Sequence, residues 1–238
     1  MLYKNYLKSL NVNTKKRKKS DYTISYFLLN HIANFLIAIL LRLKVKPDTI
    51  TNINLINYLI SLILIYFNQK ENFYIYGIYF YILTLLIDKC DGGLARIYNY
   101  KTFFGKFYDG LIDMIFPPLF FLGLTLTYYF KTDDLVMLFI GCNASIFFLL
   151  DIAVLDKFSA ITRWCNKENN RDSKPYLNKN YFGKILNFMR QDLILIALIL
   201  ISLNSIENIY QKYFFLSIYL TFYLSALYNL TLHYLIAK

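Results

Sequence analysis

Six long apolar runs decide what kind of chain this is. They cover roughly residues 49–67, 73–97, 105–130, 134–156, 187–204 and 211–236, separated by short or hydrophilic segments. An apolar run of about 20 residues is long enough, as a helix, to cross the hydrocarbon core of a bilayer. Inside that solvent the backbone must satisfy its own hydrogen bonds, which favours helices over open sheets. With 57% hydrophobic and 19% aromatic residues in 238, the chain is too apolar for an ordinary soluble domain. The expected architecture is all-α and integral to the membrane. It has six transmembrane helices in one domain spanning 25–238, and leaves no room for a second sizeable soluble domain.

Residues 1–24 read as a basic, disordered arm around the run Lys15 to Lys19, without the short apolar core and cleavage site of a secretory signal. Over 25–44 the chain is apolar except for Asn30, His31, Asn34 and Arg42, which fall on one narrow helical stripe. This predicts an amphipathic helix lying in the interface. A seventh span is the competing reading. It would carry the basic arm to the opposite side of the membrane.

The net charge of +11 raises the question of nucleic acid, but its placement answers it differently. With six spans, 22 of the 26 Lys and Arg residues fall on one side: in the arm, the 96–106 turn, the 157–190 segment and the C-terminus. The opposite turns hold only Lys70, Lys131 and Lys212, and Lys89 lies near the end of the second span. That asymmetry is the positive-inside pattern and places both termini on the cytoplasmic side. The charge is topological, and no nucleic-acid partner is expected. Three cysteines, Cys90, Cys142 and Cys165, have no paired spacing and predict no disulfide framework. The two histidines, His31 and His233, are far apart and argue against a zinc site or a histidine-based triad.

Against this apolar background, Asp88 to Asp113 stands out. It reads Asp88-Lys-Cys-Asp91-Gly92-Gly-Leu-Ala95-Arg96, then eight residues, then Gly105-Lys-Phe-Tyr-Asp109-Gly-Leu-Ile-Asp113. An unpaired carboxylate within a membrane span costs a few kcal/mol or more, on the order of 3. Asp88 and Asp91 are three apart, Asp109 and Asp113 four apart, so each pair shares a helical face. Gly105 lies one turn before Asp109 on the same stripe and opens room beside it. Two such helices meeting face to face would gather four carboxylates around one point, where hard cations such as Mg²⁺ or Mn²⁺ are the natural partners of all-oxygen ligands.

The pattern D-x2-D-G-x2-A-R-x8-G-x3-D-x3-D resembles the signature of the CDP-alcohol phosphotransferase family at all eight of its fixed positions. The resemblance implies six transmembrane helices, commonly in a homodimer, and a polar site at the cytoplasmic face. It implies a transferase: an alcohol attacks a CDP-activated alcohol, CMP leaves, and a phosphodiester forms. It implies that Asp88, Asp91 and Asp109 bind two divalent ions, and that Asp113 is the general base and also touches metal. It also implies that Gly92, Ala95, Arg96 and Gly105 cradle the nucleotide diphosphate. Lys46-Pro47-Asp48-Thr49-Ile50-Thr51 resembles the family's Pro-Asn-x-hydrophobic-Thr segment, with Asp48 where Asn is usual, and makes Thr51 a nucleotide-binding candidate.

The chain is short, which favours CDP-diacylglycerol as donor and phospholipid biosynthesis as the setting. A non-lipid or polysaccharide-linked phosphodiester is the alternative product, and the sequence does not fix the acceptor. Candidate acceptor-binding residues are Lys106, Lys157, Arg163 and Arg190, at the cytoplasmic ends of the third, fourth and fifth spans. Asp151, deeper in the fourth span, is a further acid to explain; the last span shows no clear functional residue. A cation-coupled transporter is a distant alternative. Such proteins carry internal repeats or polar residues along a continuous pore, whereas here the acids cluster at one face.

Overall fold

The computed structural model describes residues 6, 24–67, 73–100, 102–168, 194–202 and 208–237. Every element among them is a helix: α1 (Ile24–Arg42), α2 (Pro47–Phe67), α3 (Phe73–Ile97), α4 (Phe103–Thr132), α5 (Leu135–Glu168), α6 (Ile194–Ser202) and α7 (Asn208–Ala237). Five stretches are long and apolar enough to cross a membrane: Pro47–Phe67, Phe73–Ile97, Phe107–Thr132, Leu135–Lys157 and Gln211–Thr231. The expected fifth run, 187–204, is described only over α6, whose nine residues pack against α3 and α7. Of the basic arm, Tyr6 and Ile24 are described; the rest lies outside the described residues.

Neighbouring helices close into a ring in the order α3, α2, α4, α5, α7, α6 and back to α3, with α1 against α3. Glycines set how closely three of these pairs approach. A Cβ on Gly77 of α3 would lie 2.6 Å from Ile65 Cγ1 of α2, and one on Gly123 of α4 would lie 2.6 Å from Ile65 Cγ2. Ile65 is thus clasped between two glycines and is fully buried. Gly141 of α5 similarly admits the side chain of Thr125 on α4. Bonds to carbonyls fix the contacts: Ser61 Oγ donates to Gly77 O at 2.8 Å, and Tyr66 Oη donates to Leu119 O at 2.8 Å.

Aromatic rings fill the interior. Tyr81 and Phe120 stack at 3.7 Å between centroids, and Phe222 of α7 stands edge-on to Phe121 at 4.9 Å while stacking on Phe148 at 4.3 Å. Large apolar side chains on the outer faces, such as Ile53, Ile56 and Ile63 of α2, are exposed, as suits helices whose outer solvent is lipid.

Pro47 is the first residue of α2, a position where its missing N–H costs nothing, and Asp48 and Thr49 lie in the first turn. One local expectation changes. In α1, Asn34 does not join a solvent-facing polar stripe. It is buried with Ala33, Ile37 and Ala38, while Ile32 and Phe35 are exposed. The cause is α3: small Ala33 lets that helix come close, and Cys90 Sγ donates to Ala33 O at 3.8 Å. Cys90 is a packing residue, as its position off the aspartate face suggests.

At the end of the bundle far from Asp88–Asp113, α4 closes with Asp133 in the left-handed region at φ 52°. Asp134 then starts α5. It accepts from the Met137 amide at 3.1 Å and pairs with Lys212 Nζ at 2.6 Å. Lys131 lies over the Tyr74 ring, 4.0 Å from its centroid. Lys212 and the Met137 amide hold the Asp134 carboxyl below the usual aspartate range. A depressed folded-state value means that this stabilisation is complete above the ordinary aspartate pKa of about 3.9. It is lost as pH falls through the lower folded value. Asp134→Asn keeps a capping oxygen and removes the charge. In detergent it should unfold at a lower temperature than wild type at neutral pH, and the gap should close in strong acid. A gap that persists there assigns the effect to something other than charge.

Candidate active site

The site forms where α3 ends and α4 begins. Short turn bonds link the two helices: Tyr98 N to Leu94 O at 2.9 Å and Tyr100 N to Ala95 O at 2.9 Å, with Asn99 left-handed at φ 51°. Thr102 then caps α4, its side chain accepting from the Gly105 amide at 3.1 Å. This tight return brings Asp88 of α3 beside Asp109 and Asp113 of α4. The three each offer a carboxylate oxygen within 4.8 Å of the other two. The spacing of the acids along the two helices thus produces the convergence expected for three of the four.

Asp91 takes a different partner. It is buried, and the Thr51 hydroxyl of α2 donates to it, with Pro47 O at 3.3 Å as that hydroxyl's second acceptor. Asp91 remains within electrostatic reach of Asp109 and Asp48. Asp48, the departure from the usual Asn, is tied to the α3–α4 turn. Tyr100 Oη donates to it at 2.8 Å, and that bond pushes the Tyr100 hydroxyl above its usual range. Thr51 and Asp48 therefore clamp the start of α2 onto the motif.

The small residues of the motif are used unequally. A Cβ on Gly105 would lie 2.7 Å from Thr102 Oγ1 and 3.7 Å from Asp48 Oδ1, so the room expected beside Asp109 is taken by the cap. Gly92 lies under the Arg96 guanidinium, where a Cβ would be 3.5 Å from Nη1. Ala95 is half-buried and Arg96 exposed, on the same terminal turn of α3.

Deeper in, the carboxylates rest on aromatic packing. Tyr58 of α2 stacks on Phe116 at 5.2 Å and lies within electrostatic reach of Asp113, Asp88 and Asp109. Pro117 and Pro118 follow one turn after Asp113, inside a helix that continues through them. Proline has no N–H, so the carbonyls of Asp113 and Met114 lack their usual intrahelical donors. One turn from both Thr51 and Tyr58, Asn54 is buried, and its Oδ1 has no hydrogen-bond partner among the described residues.

Of the acceptor-binding candidates, Lys157 is exposed on α5. Arg190 and the side chains of Lys106 and Arg163 lie outside the described residues. Asp151 is explained by packing across the bundle. It is buried on α5 and accepts from Ser225 Oγ at 2.8 Å and Asn229 Nδ2 at 2.6 Å, both on α7. Sequence reading missed those two partners, because Ser and Asn in an aromatic span carry no signal until the acid they answer is known.

An all-oxygen donor set of three carboxylates, each offering an oxygen within 4.8 Å of the others, fits a hard divalent cation. A search of curated proteins finds no match to this chain. The family model for CDP-alcohol phosphatidyltransferase matches residues 44–227, a span that holds α2 to α6, most of α7 and the whole aspartate motif. On that match, the chain belongs to the CDP-alcohol phosphatidyltransferase family, whose members are transferases of substituted phosphate groups.

Proposed function

We propose that this protein moves a phosphatidyl group from CDP-diacylglycerol to an alcohol acceptor, releasing CMP, at the cytoplasmic face of a membrane. The observation that carries this reading is the convergence of Asp88, Asp109 and Asp113 at the joint of α3 and α4, inside a family match that spans it. Asp88, Asp91, Asp109 and Asp113 hold two divalent ions, Mg²⁺ or Mn²⁺. When bound, such ions neutralise the pyrophosphate and polarise the phosphorus under attack. Thr51 orients Asp91 and lines the nucleotide side. Arg96 offers paired donors to a phosphate, and the glycine at 92 lets that phosphate approach the end of α3.

The bond changes balance without any further reactant. The acceptor oxygen forms a bond to the phosphorus that carries the diacylglycerol. The bridge between the two phosphates breaks, and CMP leaves with its own phosphate. The acceptor proton passes to the Asp113 carboxylate, which is the base. A membrane-embedded site suits this reaction because one substrate is a lipid and the other arrives from water.

In this reading six helices span the bilayer, α6 being part of the fifth span, and α1 lies in the interface. The protein works as a homodimer, and both termini are cytoplasmic. The acceptor enters beside Asp113, opposite the leaving CMP, where the ends of the fourth and fifth spans carry Lys157, Arg163 and Arg190, with Lys106 on the third.

Three measurements test the proposal. Transfer from CDP-diacylglycerol, followed as CMP release by purified protein, should vanish in EDTA and return with Mg²⁺ or Mn²⁺. Asp88→Asn, Asp91→Asn and Asp109→Asn should each abolish it while the protein still inserts. Full turnover after thorough chelation would remove the metal assignment. For topology, single cysteines at Lys15 and Lys174 should label from the cytoplasmic side and one at Asp133 from the other. A labelled arm on the outer side would restore the seventh span over 25–44.

For the acceptor, two of the basic side chains should grip a phosphate through charge-assisted bonds of roughly 1.5–3 kcal/mol each. Arg163→Ala or Arg190→Ala is then expected to raise the acceptor KM at least tenfold and to leave the donor KM near wild type. A neutral acceptor would not need both. Wild-type kinetics in both variants with every acceptor tried would make these arginines interfacial anchors only.

A further inference from the structure

Two independent helix registers place the buried amide of Asn54 at the level of the aspartate cluster. Between α2 and the antiparallel α3, Thr51 meets Asp91 and Ile65 meets Gly77. One turn on from Thr51 and one turn back from Asp91, Asn54 is level with Asp88. Between α2 and the parallel α4, Asp48 neighbours Gly105, Tyr58 stacks on Phe116, and Ile65 touches Gly123. That second register brings Asn54 to the level between Asp109 and Asp113. Both therefore bring Asn54 level with the three carboxylates that converge within 4.8 Å.

The chemistry of this position is unbalanced. Asn54 is 4% exposed, and its Oδ1 has no hydrogen-bond partner among the described residues. A buried amide oxygen without a donor carries a desolvation cost. The neighbours do not relieve it. Ionised carboxylates only accept. The Thr51 hydroxyl is committed to Asp91. A neutral oxygen at the level of three anionic oxygens has a simple complement, a hard cation that takes both kinds.

We propose that Asn54 Oδ1 is a direct ligand of a divalent ion in the aspartate cluster, a neutral oxygen supplied by the first span to carboxylates from the second and third. This rests on the metal reading of the site given above. The role differs from that of the acids. An amide adds to the coordination number without adding charge, so the ion keeps more of its charge for the pyrophosphate. It also links α2 to α3 and α4 through the ion.

The test is Mn²⁺ binding to the purified full chain in detergent, without substrate, followed by loss of the free-ion EPR signal. Asn54→Leu keeps the side-chain shape and removes the oxygen; it should weaken Mn²⁺ binding at least fivefold, whereas Asn54→Asp should bind at least as tightly as wild type. Wild-type protein that binds no Mn²⁺ brings down the metal reading itself. A wild type that binds, with Asn54→Leu binding equally well, overturns the Asn54 assignment alone. Unchanged Mn²⁺ affinity with a raised donor KM also overturns it and gives the amide to the substrate. Should the leucine variant fail to fold, wild-type protein labelled with ¹³C at asparagine side-chain carbonyls decides the matter. A ¹³C coupling on the bound Mn²⁺ signal is expected, and its absence overturns the proposal.

Discussion

Like charges held together in an apolar bundle are the constraint on which the rest of this structure depends. Two carboxylates about 5 Å apart repel by roughly 3 kcal/mol at an effective dielectric constant near 20. Three such pairs oppose the fold by about 10 kcal/mol, as much as the whole net stability of an ordinary domain. The cluster of Asp88, Asp109 and Asp113 therefore needs its charge neutralised and a scaffold that does not spread apart. Lys89 and Arg96 act against the Asp88 charge from its own helix, and the motif has no basic residue between the acids on α4. Asp151 differs, in that Ser225 and Asn229 donate to its carboxylate in place.

The scaffold resists spreading with contacts placed well away from the charges. Ile65 seated between Gly77 and Gly123 draws α2, α3 and α4 to close range in the half of the bundle far from the motif. The Tyr81–Phe120 stack and the hydrogen bond from Ser61 to Gly77 O lie between that clasp and the acids. At the motif end the helices are held by polar ties instead: Thr51 to Asp91, Tyr100 to Asp48, Thr102 to Gly105. Close packing on glycine dominates in the far half, with bonds such as Ser61 to Gly77 O beside it, and side-chain hydrogen bonds dominate at the motif end. The separation leaves the polar end free to open to substrates while the apolar half keeps the helices in register.

Much of this was legible in the chain, and the limits have physical reasons. The apolar runs mark the long helices because run length against bilayer thickness is a one-dimensional property. Asp109 and Asp113 share a face because helical periodicity is local, and Asp88 meets them because α3 and α4 follow one another closely in the chain. Pairings that depend on which face of a distant helix arrives were not readable. The sequence offered no sign that the Thr51 hydroxyl is given to Asp91, 40 residues on. Asn34 looked like part of a water-facing stripe because its type is polar, but α3 covers it. Gly105 promised space by lacking a side chain, and the cap on its own helix fills that space. Asn54 had no signal at all, since an asparagine in a span becomes informative only when its buried oxygen is seen without a donor.

Register is what joins the packing to the chemistry. Sliding α2 by one turn along α3 would move it by about 5.4 Å. Thr51 would leave Asp91, Ser61 would leave the Gly77 carbonyl, and Ile65 would drive into the helix wall beside Gly77 instead of the gap above it. The same slide on α4 would carry Ile65 off Gly123 and Asp48 off the α4 cap. Because both glycine gaps close on one isoleucine, neither helix can shift without a clash that close-packed interiors do not absorb. The position of one apolar side chain, deep in the bundle, thus settles which polar groups of α2 stand before the aspartates. A chain assembled this way can vary the residues around its reacting groups, at Asp48, Thr51 and Asn54, without losing the alignment that makes them matter.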